Sequence, residues 1–84
     1  MTRYLVMVMR TPQFQDAAIV PHQAFLEALR RNGQLELAGP FTDKTGGAYV
    51  IRAESLAAAQ AVAFADPLHT TRSSLVTVHE WNAS

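Results

Sequence analysis

The chain has 84 residues, 49% of them apolar, with no cysteine and with seven basic residues balanced by seven acidic ones. That length fits one domain over residues 1–84 and leaves no room for a second; the apolar share excludes a disordered tail, and the missing cysteine excludes disulfides and thiolate zinc sites. The basic residues are scattered rather than gathered into a stripe, and no apolar run is long enough to span a bilayer, which argues against nucleic acid or a membrane as the main partner.

Arg3 to Arg10 (RYLVMVMR) is a short run of β-forming residues, ended by Thr11-Pro12, where proline removes a backbone donor. The chain enters this strand at once, without the zones of a signal peptide, so a soluble, cytoplasmic protein is expected. From Pro21 the apolar period changes: His22, Phe25, Leu26 and Leu29 fall at helical spacing, Glu27, Arg30 and Arg31 face away, and Asn32-Gly33 supplies a stop. Pro21 suits the first turn, and Asp16 is an alternative, earlier cap.

Leu35 to Ala38 reads as a second strand. Gly39-Pro40 then bends the chain, and the polar loop Thr42 to Gly47 leads into a third strand, Ala48 to Arg52, completing a hairpin. Ser55 caps a second helix, Leu56 to Ala65, whose many alanines predict close packing against a sheet. Asp66-Pro67 ends it, a loop with His69 and Arg72 follows, and Leu75 to Trp81 is the last strand.

The order βαββαβ, with right-handed crossovers, defines an α+β ferredoxin-like sandwich: a four-stranded antiparallel sheet with two helices on one face. Strand one is nevertheless apolar on both faces, with Leu5, Met7 and Met9 pointing one way and Tyr4, Val6 and Val8 the other. At roughly 25 cal/mol per Å² of apolar area, leaving the second face in water forfeits several kcal/mol. A homodimer packing two sheets face to face, a dimeric α/β barrel, removes that cost.

His22 and Asp66 carry the lead to function. An imidazole exchanges protons near neutral pH, and a carboxylate bonded to one ring nitrogen would fix the tautomer and leave the other nitrogen free as a base. Each has a plainer structural reading. His22 can be a partly buried histidine bonded to a backbone carbonyl, and Asp66 a turn residue bonded to nearby amides. As a residue at a helix carboxyl end, Asp66 is expected to sit in an unfavourable field, which a His22 imidazolium would relieve.

The pocket is expected to include Phe25, Gly39, Pro40, Phe41, Pro67, Ser73 and Ser74. Arg10 and Arg72 are candidate anion anchors, with solvated surface charge the simpler reading. His69 and His79 lack metal-ligand spacing, so no metal site is expected, and no cofactor. The glycine pairs do not open a helix and are not read as phosphate cradles.

Taken in order, the strand YLVMVMR, the helix PHQAFLEALRRNGQL opening with histidine, the AGPF turn, the helix ESLAAAQAVAFADP and the closing VHEW resemble the YCII-related (YciI-like) family over nearly the whole chain. The resemblance implies a ferredoxin-like fold that dimerises through its sheet, with His22 and Asp66 as the active-site pair. It also implies a small-molecule substrate, since the wider group includes enzymes of haloaromatic breakdown that eliminate chloride by proton abstraction. The polar segment His69 to Ser74 departs from the family pattern, which puts the pocket's usual shape in doubt. A non-catalytic dimer that binds a small molecule or a partner protein is the alternative.

Overall fold

The computed structural model describes residues Met1 to Ser84. Four strands form one antiparallel sheet: β1 (Thr2–Arg10), β2 (Leu35–Pro40), β3 (Gly46–Ala53) and β4 (Ser74–Glu80), in the order β2-β3-β1-β4. Helices α1 (Ile19–Arg31), α2 (Leu56–Ala63) and the single turn α3 (Pro67–Thr70) complete the chain, and the longer helices pack on one face of the sheet. This is the ferredoxin-like arrangement that the βαββαβ order predicts.

The core follows the period-two alternation of the strands. Tyr4, Val6 and Val8 of β1, Tyr49 and Ile51 of β3 and Val76 of β4 are buried beneath the helices. Ala59 and Ala63 of α2 are fully buried, so the alanines bring that helix close to the sheet as their small size suggested. Ser55 caps α2 by accepting the Ala58 N–H at 3.1 Å. At the far end of α1, Gly33 takes φ +75°, and the bonds from Gly33 N to Arg30 O and from Gln34 N to Leu29 O, both 3.0 Å, close a Schellman turn.

Three local details differ from expectation. Helix α1 starts at Ile19, after a 3-10 turn over Asp16–Ala18, so Pro21 lies inside the first turn rather than at its opening. Strand β2 runs on through the Gly39-Pro40 bend, pairing Gly39 with Ala48 and Pro40 with Gly47. Proline is tolerated there because β2 is an edge strand and its missing donor faces no neighbour. The third concerns Asp66. Helix α2 stops at Ala63, and Asp66 is the N-cap of α3, its Oδ1 accepting the Leu68 N–H at 2.8 Å. Asp66 is therefore both the residue after α2, its N–H bonded to the Ala63 carbonyl, and an N-cap whose carboxylate meets a backbone donor, a role the reading as a helix carboxyl end does not include.

The sheet face opposite the helices carries Leu5, Met7 and Met9, with Leu37 60% and Leu75 63% exposed at its flanks. No helix of the chain covers it.

Candidate active site

The site is assembled where α1, the α2–α3 junction and β3 meet. Along α1, Ile19, His22, Gln23 and Leu26 share one stripe, spaced i, i+3, i+4 and i+7, and all four line a cavity of about 330 Å³. Phe25, one step round the helix, packs against the core instead.

His22 Nδ1 lies 2.9 Å from both Oδ1 and Oδ2 of Asp66. Asp66 is fully buried, whereas the His22 side chain is 16% exposed. Two further donors converge on the same carboxyl group, the Leu68 N–H on Oδ1 and the Tyr49 hydroxyl on Oδ2 at 3.0 Å. Three donors on two oxygens suit the acceptor-only, ionised form of an aspartate. An acceptor facing Nδ1 places the proton of that contact on Nδ1, and the neutral ring then carries its lone pair on Nε2.

Tyr49 is the residue that sequence reasoning missed. It sits mid-strand in β3, paired with Val6 and Ala38, and is buried on the helix-covered face with its ring centroid 6.2 Å from that of His22. Burial and the adjacent Asp66 charge hold its hydroxyl above the ordinary tyrosine range, so it stays a donor. A signal was available: a tyrosine on the apolar face of a strand must find a partner for its O–H.

Apolar side chains of Val8, Phe14 and Leu68 complete the cavity wall beside the α1 stripe, and Gly39, Pro40, Gly46 and Gly47 line its β2–β3 side. Ser74 also lines it. Phe25, Phe41, Pro67 and Ser73, expected along the cleft, are not among its lining residues. Ser73 is fully buried and its hydroxyl is engaged, accepting the Gln15 N–H at 3.2 Å and meeting the Thr71 hydroxyl at 2.7 Å, so it fastens the β1–α1 connection to the segment before β4. Pro67 is the first residue of α3. His69 stacks on Phe64 at 4.6 Å and bonds its carbonyl, and His79 contacts Thr77 on the opposite sheet face. Arg72 takes φ +59°, and its carbonyl accepts the Thr11 hydroxyl.

The fold is that of a small α+β ferredoxin-like sandwich, and in this chain it holds a histidine through Nδ1 on a buried carboxylate beside a mostly apolar cavity. The YCII-related domain model matches residues 2–82, and the chain belongs to that family. It is 44% identical over 81 residues to the uncharacterised protein YjpA of Bacillus subtilis, covering 96% of this chain and 95% of YjpA. Among solved structures it is similar to the 5-chloro-2-hydroxyhydroquinone dehydrochlorinase TftG of Burkholderia phenoliruptrix in complex with 2,5-dihydroxybenzoquinone. That likeness has a TM-score of 0.73 at 20% identity and covers 98% of this chain and 95% of TftG; it concerns the fold.

Proposed function

We propose that this chain is a homodimeric, cofactor-independent enzyme in which His22, oriented by Asp66, takes a proton from a small molecule in the cavity. The observation that carries the reading is the 2.9 Å contact of His22 Nδ1 with a fully buried carboxylate, which leaves Nε2 as the ring's basic atom. The Nε2 lone pair takes a proton from carbon, or from the hydroxyl of a phenol or enol, and the freed electron pair forms a new C=C or C=O double bond. In elimination the neighbouring carbon expels its leaving group with the bonding pair. In isomerisation the pair moves into a conjugated carbonyl and the imidazolium returns the proton at another carbon. Neither route transfers electrons to or from an outside acceptor.

Elimination is the first to test, because a protein of the same fold is a dehydrochlorinase. Chlorinated hydroxyhydroquinones would be followed by chloride release, and cyclic ketones by deuterium uptake from D₂O in proton NMR. The expected result is turnover by the parent and a loss of at least about 100-fold in folded His22→Asn, the usual scale for one general base. Full turnover by folded His22→Asn would overturn the assignment. Binding of these compounds without chemical change would support the non-catalytic alternative.

The homodimer rests on the uncovered sheet face bearing Leu5, Met7 and Met9, flanked by the exposed Leu37 and Leu75. A second copy meeting it face to face would bury both faces at once.

A further inference from the structure

Besides Gln23, the cavity holds two polar groups that the His-Asp pair does not use. Ser74 is only 5% exposed, lines the cavity, and its Oγ has no hydrogen-bond partner in the protein. A buried hydroxyl in that condition is unusual, since buried polar atoms are nearly always paired. Its direct cross-strand neighbour is Arg10, at the last rung of the β1–β4 ladder, so the two side chains leave the sheet on the same face. Arg10 lines the same cavity and makes no ion pair.

The guanidinium of Arg10 stands over the Phe14 ring, 4.1 Å from its centroid. No side chain of the protein pairs with its charge, so its N–H donors are left for another partner. No aspartate or glutamate lines the cavity to take them. An exposed cation resting on an aromatic ring, a free hydroxyl and no competing carboxylate make this part of an otherwise largely apolar cavity receptive to an anionic oxygen.

We propose that Arg10 and Ser74 form an anion subsite, so that the compounds acted on at His22 are small, single-ring or similarly flat molecules carrying a carboxylate or an ionised phenol or enol. The anionic oxygen takes an in-plane N–H of Arg10 and the Ser74 hydroxyl, and the apolar body lies against Phe14 and Leu26. Both groups bind and orient; His22 remains the base. This deepens the proposed reading of the cavity as a substrate site, and its test is a binding measurement that does not depend on turnover.

Benzoate and its neutral isostere benzamide, titrated into ¹⁵N-labelled protein at pH 7 and followed by amide shifts of Gly39, Gly47 and Ser74, are the probes. Benzoate is expected to bind at least about tenfold more tightly than benzamide. Arg10→Met, which keeps an apolar stem on Phe14, is expected to abolish that preference, and Ser74→Ala to reduce it. In His22→Asn the preference persists, so failure of the proton-transfer reading and failure of the subsite are told apart. Phenol titrated below and above its own ionisation distinguishes phenolate from carboxylate as the preferred anion. Equal binding of benzoate and benzamide, or a preference unchanged in Arg10→Met, would overturn the proposal.

Discussion

Replacing Tyr49 by Phe removes one hydroxyl from behind His22 and leaves the ring that fills the core. The lost bond is a hydroxyl to a fully buried carboxylate at 3.0 Å, where water has no access to replace it. Hydrogen bonds to charged groups are worth about 1.5–3 kcal/mol, so a loss of about 2 kcal/mol at pH 8 is expected. The pH dependence makes the prediction sharper. Burial and the Asp66 charge raise the folded-state pKa of Tyr49 above its unfolded value of about 10. A raised pKa contributes stability that is fully present below the unfolded value and is lost as pH rises from there toward the folded one. Above pH ~10 the unfolded parent sheds a proton that the folded parent keeps, so parent stability falls by about 1.4 kcal/mol per pH unit. The Phe variant has no such proton, and the gap between the two closes to about 0.6 kcal/mol at pH 11. Tyr4, whose hydroxyl burial also holds above its ordinary value, titrates in both proteins and drops out of the difference. Urea unfolding followed by circular dichroism at pH 8, 10 and 11 measures the gap. A gap that stays constant with pH, or no gap at pH 8, would refute the placement of Tyr49 as a buried donor to Asp66.

Gly47→Ala is expected to lower the melting temperature, by about 1–3 kcal/mol of stability, because the added Cβ would stand 2.7 Å from the Gly39 carbonyl oxygen and 3.1 Å from the Pro40 Cα, backbone atoms held by the β2–β3 ladder. Met7→Lys, at the centre of the open sheet face, is expected to convert a sedimenting dimer into a folded monomer; a parent that is already monomeric at micromolar concentration would end the dimer proposal. Long-range ¹⁵N–¹H spectra of neutral His22 should show the proton on Nδ1, and a mixture of tautomers in Asp66→Asn; the Nε2–H form in the parent would contradict the contact with the carboxylate.

The fold was legible because its signals are periodic. Alternation in β1, the helical stripe from His22 to Leu29 and the serine cap of α2 each act over a few neighbouring residues. Asp66 was legible as a residue and illegible as an environment. An aspartate followed by proline marks a helix end, yet the same pair is an N-cap with proline at the first helical position, and only the α2 stop at Ala63 decides between them. Ser73 and Ser74 show the limit of sequence adjacency. Ser73 lies just before β4 and is tied into the knot with Thr71 and Gln15, whereas Ser74 opens the strand and lines the cavity. Tyr49 meets Asp66 between the sheet and the α2–α3 junction, 17 residues away, and Arg10 meets Ser74 across the β1–β4 ladder. No local pattern encodes that register.

The proposed reading also narrows the chemistry. Asp66 cannot reach a substrate, since it is fully buried and its two oxygens already accept from His22, Tyr49 and Leu68. The Tyr49 hydroxyl is turned to Asp66 and held protonated by it. Arg10 and Ser74 offer hydrogen bonds rather than protons. That leaves the imidazole of His22 as the one proposed proton-transferring group facing the cavity. A site with one base and no separate acid suits two kinds of reaction: eliminations whose leaving group departs as a stable anion without protonation, and isomerisations in which the same imidazole returns the proton it took. Expulsion of an alkoxide or an amine would require the same imidazolium to reach the leaving atom after taking the proton, a demand that halide departure does not make. Halide elimination and single-base isomerisation therefore ask least of the proposed base, and a substrate panel built on them tests the dyad under the conditions where it would have most to contribute.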